Sequence, residues 1–210
     1  VPRGFVARMR HGDPNDPLLR QVLPAAAEDT EVSGFTADPV GELGPVSAGG
    51  VLSKYHGRAL IVATGACAVH CRYCFRRHFP YDRHRAEDAG WSAALAAIET
   101  DATVDEVILS GGDPLVLTDH QLKPLVERIE AIDHVRRLRL HTRLPVVLPE
   151  RVDESLVEWL GSCSLSVVVV IHANHANEFD AGVGRAVGAL RETGSVLLNQ
   201  TVLLAGVNDS

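Results

Sequence analysis

Cys67, Cys71 and Cys74 fall within eight residues of one another in the stretch GACAVHCRYCFRRHFP, residues 65–80. Three thiols spaced C-x3-C-x2-C point to metal or redox chemistry. Four cysteines so unevenly spaced are not the disulfide framework of a small secreted domain, and the fourth, Cys163, lies far along the chain at the end of a predicted helix, where a buried inert thiol is the ordinary outcome. Two metal readings are open. With His70 or His78 as a fourth ligand, the thiolates would close a tetrahedral zinc site. Alternatively they would hold an iron–sulfur cluster: ordinary four-iron clusters take four cysteines, so three leave one iron open to an exchangeable ligand. Arg72, Arg76, Arg77 and His78 surround the last cysteine and could hold one anion locally.

Such a loop must be positioned by regular elements, and hydrophobic periodicity supplies them. Strands are expected at 59–64, 106–110, 136–142, 165–172 and 195–204, the fourth (LSVVVVIH) β-branched and apolar on both faces as a central parallel strand should be. Helices are expected at 91–100, 119–132, 153–160 and 179–193, the second opened by the capping-box pattern Thr118-x-x-Gln121. Strict alternation of strand and helix implies a parallel sheet, open or curved into a barrel, with its chemistry at the C-terminal strand ends. The polar blocks fall there: the cysteine loop, SGGDP (110–114), HTR (141–143), HANHANE (172–178), and Asn199 with Gln200. Residues 1–54 show little periodicity and are expected to form a wrapping extension, followed by one unit over 55–210.

Composition narrows the partners. A net charge of -7 over 210 residues argues against general phosphate-backbone binding, so nucleic acid is not an expected partner. No apolar run reaches the roughly 18–20 residues that span a bilayer, and VPRGFVARMR lacks the apolar core of a secretory signal, so a cytoplasmic location is expected. The absent initiator Met and the ending VLLAGVNDS, which stops on a helix-capping signal, indicate an excerpt of a longer chain.

The blocks KYHGRALIVATGACAVHCRYCFRRHFPY (54–81), SGGDPL (110–115), RLRLHTRLPVVLPERV (137–152), HANHANE (172–178) and LLNQTVLLAGVND (197–209) together resemble the lysine 2,3-aminomutase family of radical S-adenosylmethionine enzymes. The branch they resemble most is the one that makes β-lysine for modifying translation elongation factor P. The resemblance implies a partial (β/α)6 TIM-like barrel, with about five of six strands in this chain. It implies a 4Fe-4S cluster, S-adenosylmethionine and pyridoxal phosphate as cofactors, and a reaction in which the amino group of lysine migrates from C2 to C3 after radical removal of a C3 hydrogen. Cys67, Cys71 and Cys74 would be the cluster ligands. Tyr73 would face the adenosine, Gly111, Gly112 and Asp113 would meet the methionyl amine, and His172 and Gln200 would add further S-adenosylmethionine contacts. Tyr55 and Arg58 would hold pyridoxal phosphate, with Arg58 on the phosphate, and Arg76 would hold the substrate carboxylate. An electron donor such as flavodoxin or ferredoxin and association into a homo-oligomer also follow from the resemblance. The family's pyridoxal-bearing lysine and its carboxylates for the substrate ammonium are expected beyond Ser210, because Lys54 and Lys123, the chain's two lysines, lie in no matching motif. The competing readings are a radical S-adenosylmethionine enzyme without pyridoxal phosphate and a non-enzymatic zinc scaffold.

Overall fold

A computed structural model describes residues 1–42, 51–81 and 91–209. Six strands, β1 (Val51–Leu52), β2 (Arg58–Thr64), β3 (Glu106–Gly111), β4 (Arg137–Thr142), β5 (Ser166–His172) and β6 (Val196–Gln200), form one sheet in sequential order. β2 to β6 are all parallel, and β1 adds antiparallel to β2. An order that never reverses carries every crossover helix on the same face, as in a barrel wall rather than a doubly wound sheet. The five expected parallel strands are thus present. The two-residue β1 is too short to leave a periodic trace in sequence.

The helices that cross between strands are α2 (Ser92–Thr100), α3 (Asp119–Glu130), α5 (Glu154–Ser162) and α6 (Ala181–Glu192), with the single turns α1 (Arg3–Val6) and α4 (Leu144–Val147) beside them. α3 begins at the expected Thr118 and Gln121 capping box, and Asp153 and Asp180 cap α5 and α6 through Leu156 and Val183 backbone N–H groups. Ile98, Leu122, Leu125, Ile129, Leu156 and Leu190 from these helices pack on Ile61, Leu109, Leu138 and Val169 of the sheet in one continuous core. Each of these leucines and isoleucines is essentially inaccessible, and full burial stabilises by about 1.5–3 kcal/mol per side chain.

Alternation on β4 shows what lies on the other face: Leu138, Leu140 and Thr142 are buried toward the helices, while Arg139 and His141 point the opposite way and are only half-buried. That second face is the polar one. At its far end β6 stops at Gln200, earlier than its apolar run, because side chains replace the ladder there. Asn199 Nδ2 and Thr201 Oγ1 donate to the Ala173 carbonyl, and Val202 N donates to Asn174 Oδ1. Among the described residues no helix is long and apolar enough to cross a membrane.

Candidate active site

The C-terminal strand ends surround a cavity of about 840 Å³, solvent mouth included. Its wall contains Cys67, Cys71, Cys74, Tyr73 and Arg76 from the loop after β2, and Ser110, Gly111, Gly112 and Asp113 from the end of β3. His141, Arg143, His172 and Gln200 complete it from β4, β5 and β6. Ten of the twelve residues singled out from sequence therefore meet in one space.

Close backbone approach builds the floor. Gly112 N donates to Thr64 O at 2.7 Å and Asp113 N to Ala66 O at 2.8 Å, so the end of β3 runs against the start of the cysteine loop. A Cβ on Gly112 would stand 2.2 Å from the Ala66 carbonyl oxygen, and Gly111 has φ of +110° with Thr64 O only 2.7 Å from where its Cβ would be. Only glycine fits at either position.

Asp113 departs from expectation. Its buried carboxylate accepts from Thr142 Oγ1 at 2.7 Å, Arg143 N at 2.7 Å, Leu144 N at 3.0 Å and Leu115 N at 3.1 Å. A carboxylate offers about four acceptor positions, so none is left for a ligand ammonium while these bonds persist. Asp113 is a clamp between the ends of β3 and β4, and burial raises its pKa in spite of the four donors.

A buried polar network holds the cysteine loop from behind. Arg143 donates through Nη1 to Cys71 Sγ at 2.8 Å, and through Nη2 to Gln21 Oε1 at 2.8 Å and Glu178 Oε2 at 3.0 Å. Glu178 is fully buried, and its other oxygen accepts from Asn174 N, His175 N and Gln21 Nε2. Asn174 Nδ2 donates to the Tyr73 hydroxyl at 2.7 Å, and the Tyr73 ring lies 5.2 Å from that of His172. Burial pushes the Tyr73 phenol well above its ordinary range. It also lowers His172 to about 4, with the Arg143 charge adding to the effect, so the imidazole is neutral at pH 7. Two buried nitrogens on this wall, His172 Nε2 and Arg143 Nε, have no partner among the described residues. Unpaired buried donors and acceptors are costly.

Loss of solvation pushes Cys67 up to about 12, the Asp113 charge and the two neighbouring cysteines adding to it, and Cys74 is raised for the same first reason. Coordination to a metal deprotonates such thiols outright. In this conformation no three His, Cys, Asp or Glu side chains among the described residues converge tightly enough to hold an ion, and neither His70 nor His78 is on the cavity wall. Cys67, Cys71 and Cys74 share the cavity wall without either histidine, and the Cys71 sulfur accepts from Arg143.

Arg76 is buried on the same wall, held by Glu42 and by Ser110. Tyr55 and Arg58 are placed elsewhere. Arg58 opens β2, about 20 Å along the strand from the cysteine loop at ~3.3 Å per residue, and pairs with buried Glu106 at 3.0 Å. Glu106 also receives Arg139, so the opposite end of the polar face carries more cationic than anionic groups. Tyr55 is 68% exposed beside it. Sequence reading passed over Gln21, Glu42, Arg143 and Glu178. Arg143 and Glu178 lie inside blocks already singled out, whereas Gln21 and Glu42 come from an extension without periodicity.

A profile of the radical SAM superfamily matches residues 61–158, the cysteine loop and the next two strands included. Over its full length the chain is 49% identical to an L-lysine 2,3-aminomutase of Escherichia coli and over 209 residues 44% identical to one of Haemophilus influenzae. A Clostridium subterminale protein of the same name is 35% identical over 209 residues, 98% of this chain. Residues 61–158 are thus similar to the radical S-adenosylmethionine superfamily. Along its whole length the chain is similar to proteins named L-lysine 2,3-aminomutase. The chain spans 61% and 62% of the length of the Escherichia coli and Haemophilus influenzae proteins, and 49% of the Clostridium subterminale one. The cavity brings together the three cysteines, the Gly111 and Gly112 backbone, His172 and Arg143.

Proposed function

We propose that the protein is an L-lysine 2,3-aminomutase that converts α-lysine to β-lysine, and that the product serves the modification of elongation factor P. The observation that carries this reading is the meeting of the cysteine loop, SGGDP, HTR and HANHANE in one cavity, in a chain similar over its whole length to proteins of that name. Cys67, Cys71 and Cys74 hold a 4Fe-4S cluster. The backbone at Gly111 and Gly112, with Tyr73, His172 and Gln200, holds S-adenosylmethionine. Arg76 receives the lysine carboxylate, and Arg58 with Tyr55 receives the phosphate of pyridoxal phosphate at the other end of the polar face, where Arg139 and Arg137 add positive charge.

When bound, the reduced cluster supplies the electron that cleaves the sulfonium C–S bond, and pyridoxal phosphate supplies the carbonyl that carries the migrating amino group. The chain's own residues orient and shield. Neutral His172 lines the cavity without adding charge beside the sulfonium. The guanidinium of Arg143 fixes Cys71 from behind, and the Tyr73 ring closes one wall against water. A soluble electron donor such as flavodoxin or ferredoxin and a cytoplasmic setting fit the four free cysteines of the chain.

Incubation of the complete protein under anaerobic, reducing conditions with lysine and the three cofactors is expected to form β-lysine, measured by chromatography. A protein that holds iron and S-adenosylmethionine yet forms none would refute the assignment.

A further inference from the structure

Arg76 carries five N–H donors on a rigid planar fork, and their partners can be followed one by one. Nε donates to Glu42 Oε2 at 2.7 Å and Nη2 to Glu42 Oε1 at 3.1 Å, so one edge of the guanidinium is taken bidentately. Nη1 donates to Ser110 Oγ at 3.0 Å. One N–H on each Nη atom is left without a partner among the described residues, although the side chain is only 7% exposed and lines the cavity. The Phe75 ring sits 4.7 Å from Cζ and fixes the plane from its face.

Glu42 is itself 9% exposed, although the described residues 31–41 before it are mostly exposed and form no helix or strand. Burying a lone carboxylate there would be unfavourable without a purpose for its partner. Glu42 N donates to Asp38 Oδ1 at 2.8 Å, which sets the backbone that delivers the side chain.

We propose that Glu42 is a positioning residue for carboxylate recognition. It holds the Nε and Nη2 edge of Arg76, while Ser110 and Phe75 hold the rest, so that the two remaining Nη donors meet the α-carboxylate of the amino-acid substrate. The inference rests on the aminomutase reading of Arg76, and it assigns to the extension a part in substrate selection that the cysteine loop does not have alone. In bidentate recognition a guanidinium rotated out of plane loses one of two charge-assisted bonds, so orientation is itself a specificity element.

The test uses the complete, cofactor-loaded protein and calorimetric titration with lysine and with lysinamide, which lacks the carboxylate. Wild type is expected to bind lysine more tightly than lysinamide. In Glu42→Gln the lysine dissociation constant rises roughly tenfold or more, as loss of one charge-assisted bond predicts, while lysinamide binding is unchanged. Glu42→Asp, which keeps the charge, recovers part of the discrimination. Unchanged lysine binding in Glu42→Gln would overturn the proposal, and tighter binding would do so by making Glu42 a stand-in that substrate displaces. Loss of iron and S-adenosylmethionine binding in both variants would reduce Glu42 to a folding role and also overturn it. If wild type itself does not distinguish lysine from lysinamide, it is the reading of Arg76 as the carboxylate site that fails.

Discussion

Gly112 shows how little room the site leaves at the level of single atoms. A methyl group in place of its hydrogen would meet the Ala66 carbonyl oxygen at 2.2 Å and the Ala66 carbonyl carbon at 2.8 Å, both of them backbone. Neither can be moved without shifting the loop that bears Cys67. Gly112→Ala is therefore expected to lower stability by about 1–3 kcal/mol, the usual cost of overpacking, and to reduce iron retention after reconstitution. Urea denaturation and iron analysis check it, and wild-type values in both would mean that β3 does not press on the cysteine loop. Asp113, next along, has a function legible in hindsight. An Asp before Pro is a capping signature, and its Oδ1 accepts from Leu115 N as a cap should. The donors from Thr142, Arg143 and Leu144 come from beyond α3, and no local pattern announces them.

At the scale of elements, the short α1 has an influence beyond its length. Phe5 is fully buried, with the guanidinium carbons of Arg8 and Arg143 at 5.3 and 5.5 Å from its ring centre. Arg8 in turn donates to the Glu178 and Val146 carbonyls, so α1 closes the back of the network that holds Cys71. Phe5→Ala should cost about 3–5 kcal/mol by thermal or urea unfolding, the range for large core truncations, and a loss under 1 kcal/mol would show that the extension is loosely attached. The strands and helices themselves were readable from sequence because their signal is periodic and local: VVVVI on β5, and the Thr118 and Gln121 box of α3. Gln21 and Glu42 were not readable. They reach Arg143 and Arg76 across 122 and 34 residues from segments without repeat, and only the fold brings them together. Arg58 was readable as a family position, but its distance from the cysteines became plain only once β2 was laid out along the sheet.

Two half-buried histidines on the cavity wall give the stability of the whole molecule a pH dependence. His141 and His172 are both lowered from 6.5 to about 4, burial being the first cause in each. The unfolded chain takes up these protons near pH 6.5 and the folded chain only near pH 4, so stability is fully present above 6.5 and is lost as pH falls through that window. The urea midpoint of the cofactor-free chain should be lower at pH 5 than at pH 7.5. An equal or higher midpoint at pH 5 would mean that the imidazoles are solvated. Asp113, raised by burial, works against this trend, whereas Glu28, Asp101, Asp119 and Asp180 are all lowered and add to the loss as pH falls further.

The cysteine loop as an open-iron site is tested most directly by counting metal. After anaerobic reconstitution of the complete protein, about four irons and a matching amount of acid-labile sulfide per chain are expected, falling to near zero in Cys71→Ala. One zinc per chain, with no sulfide and retained by His70 or His78, would contradict the assignment.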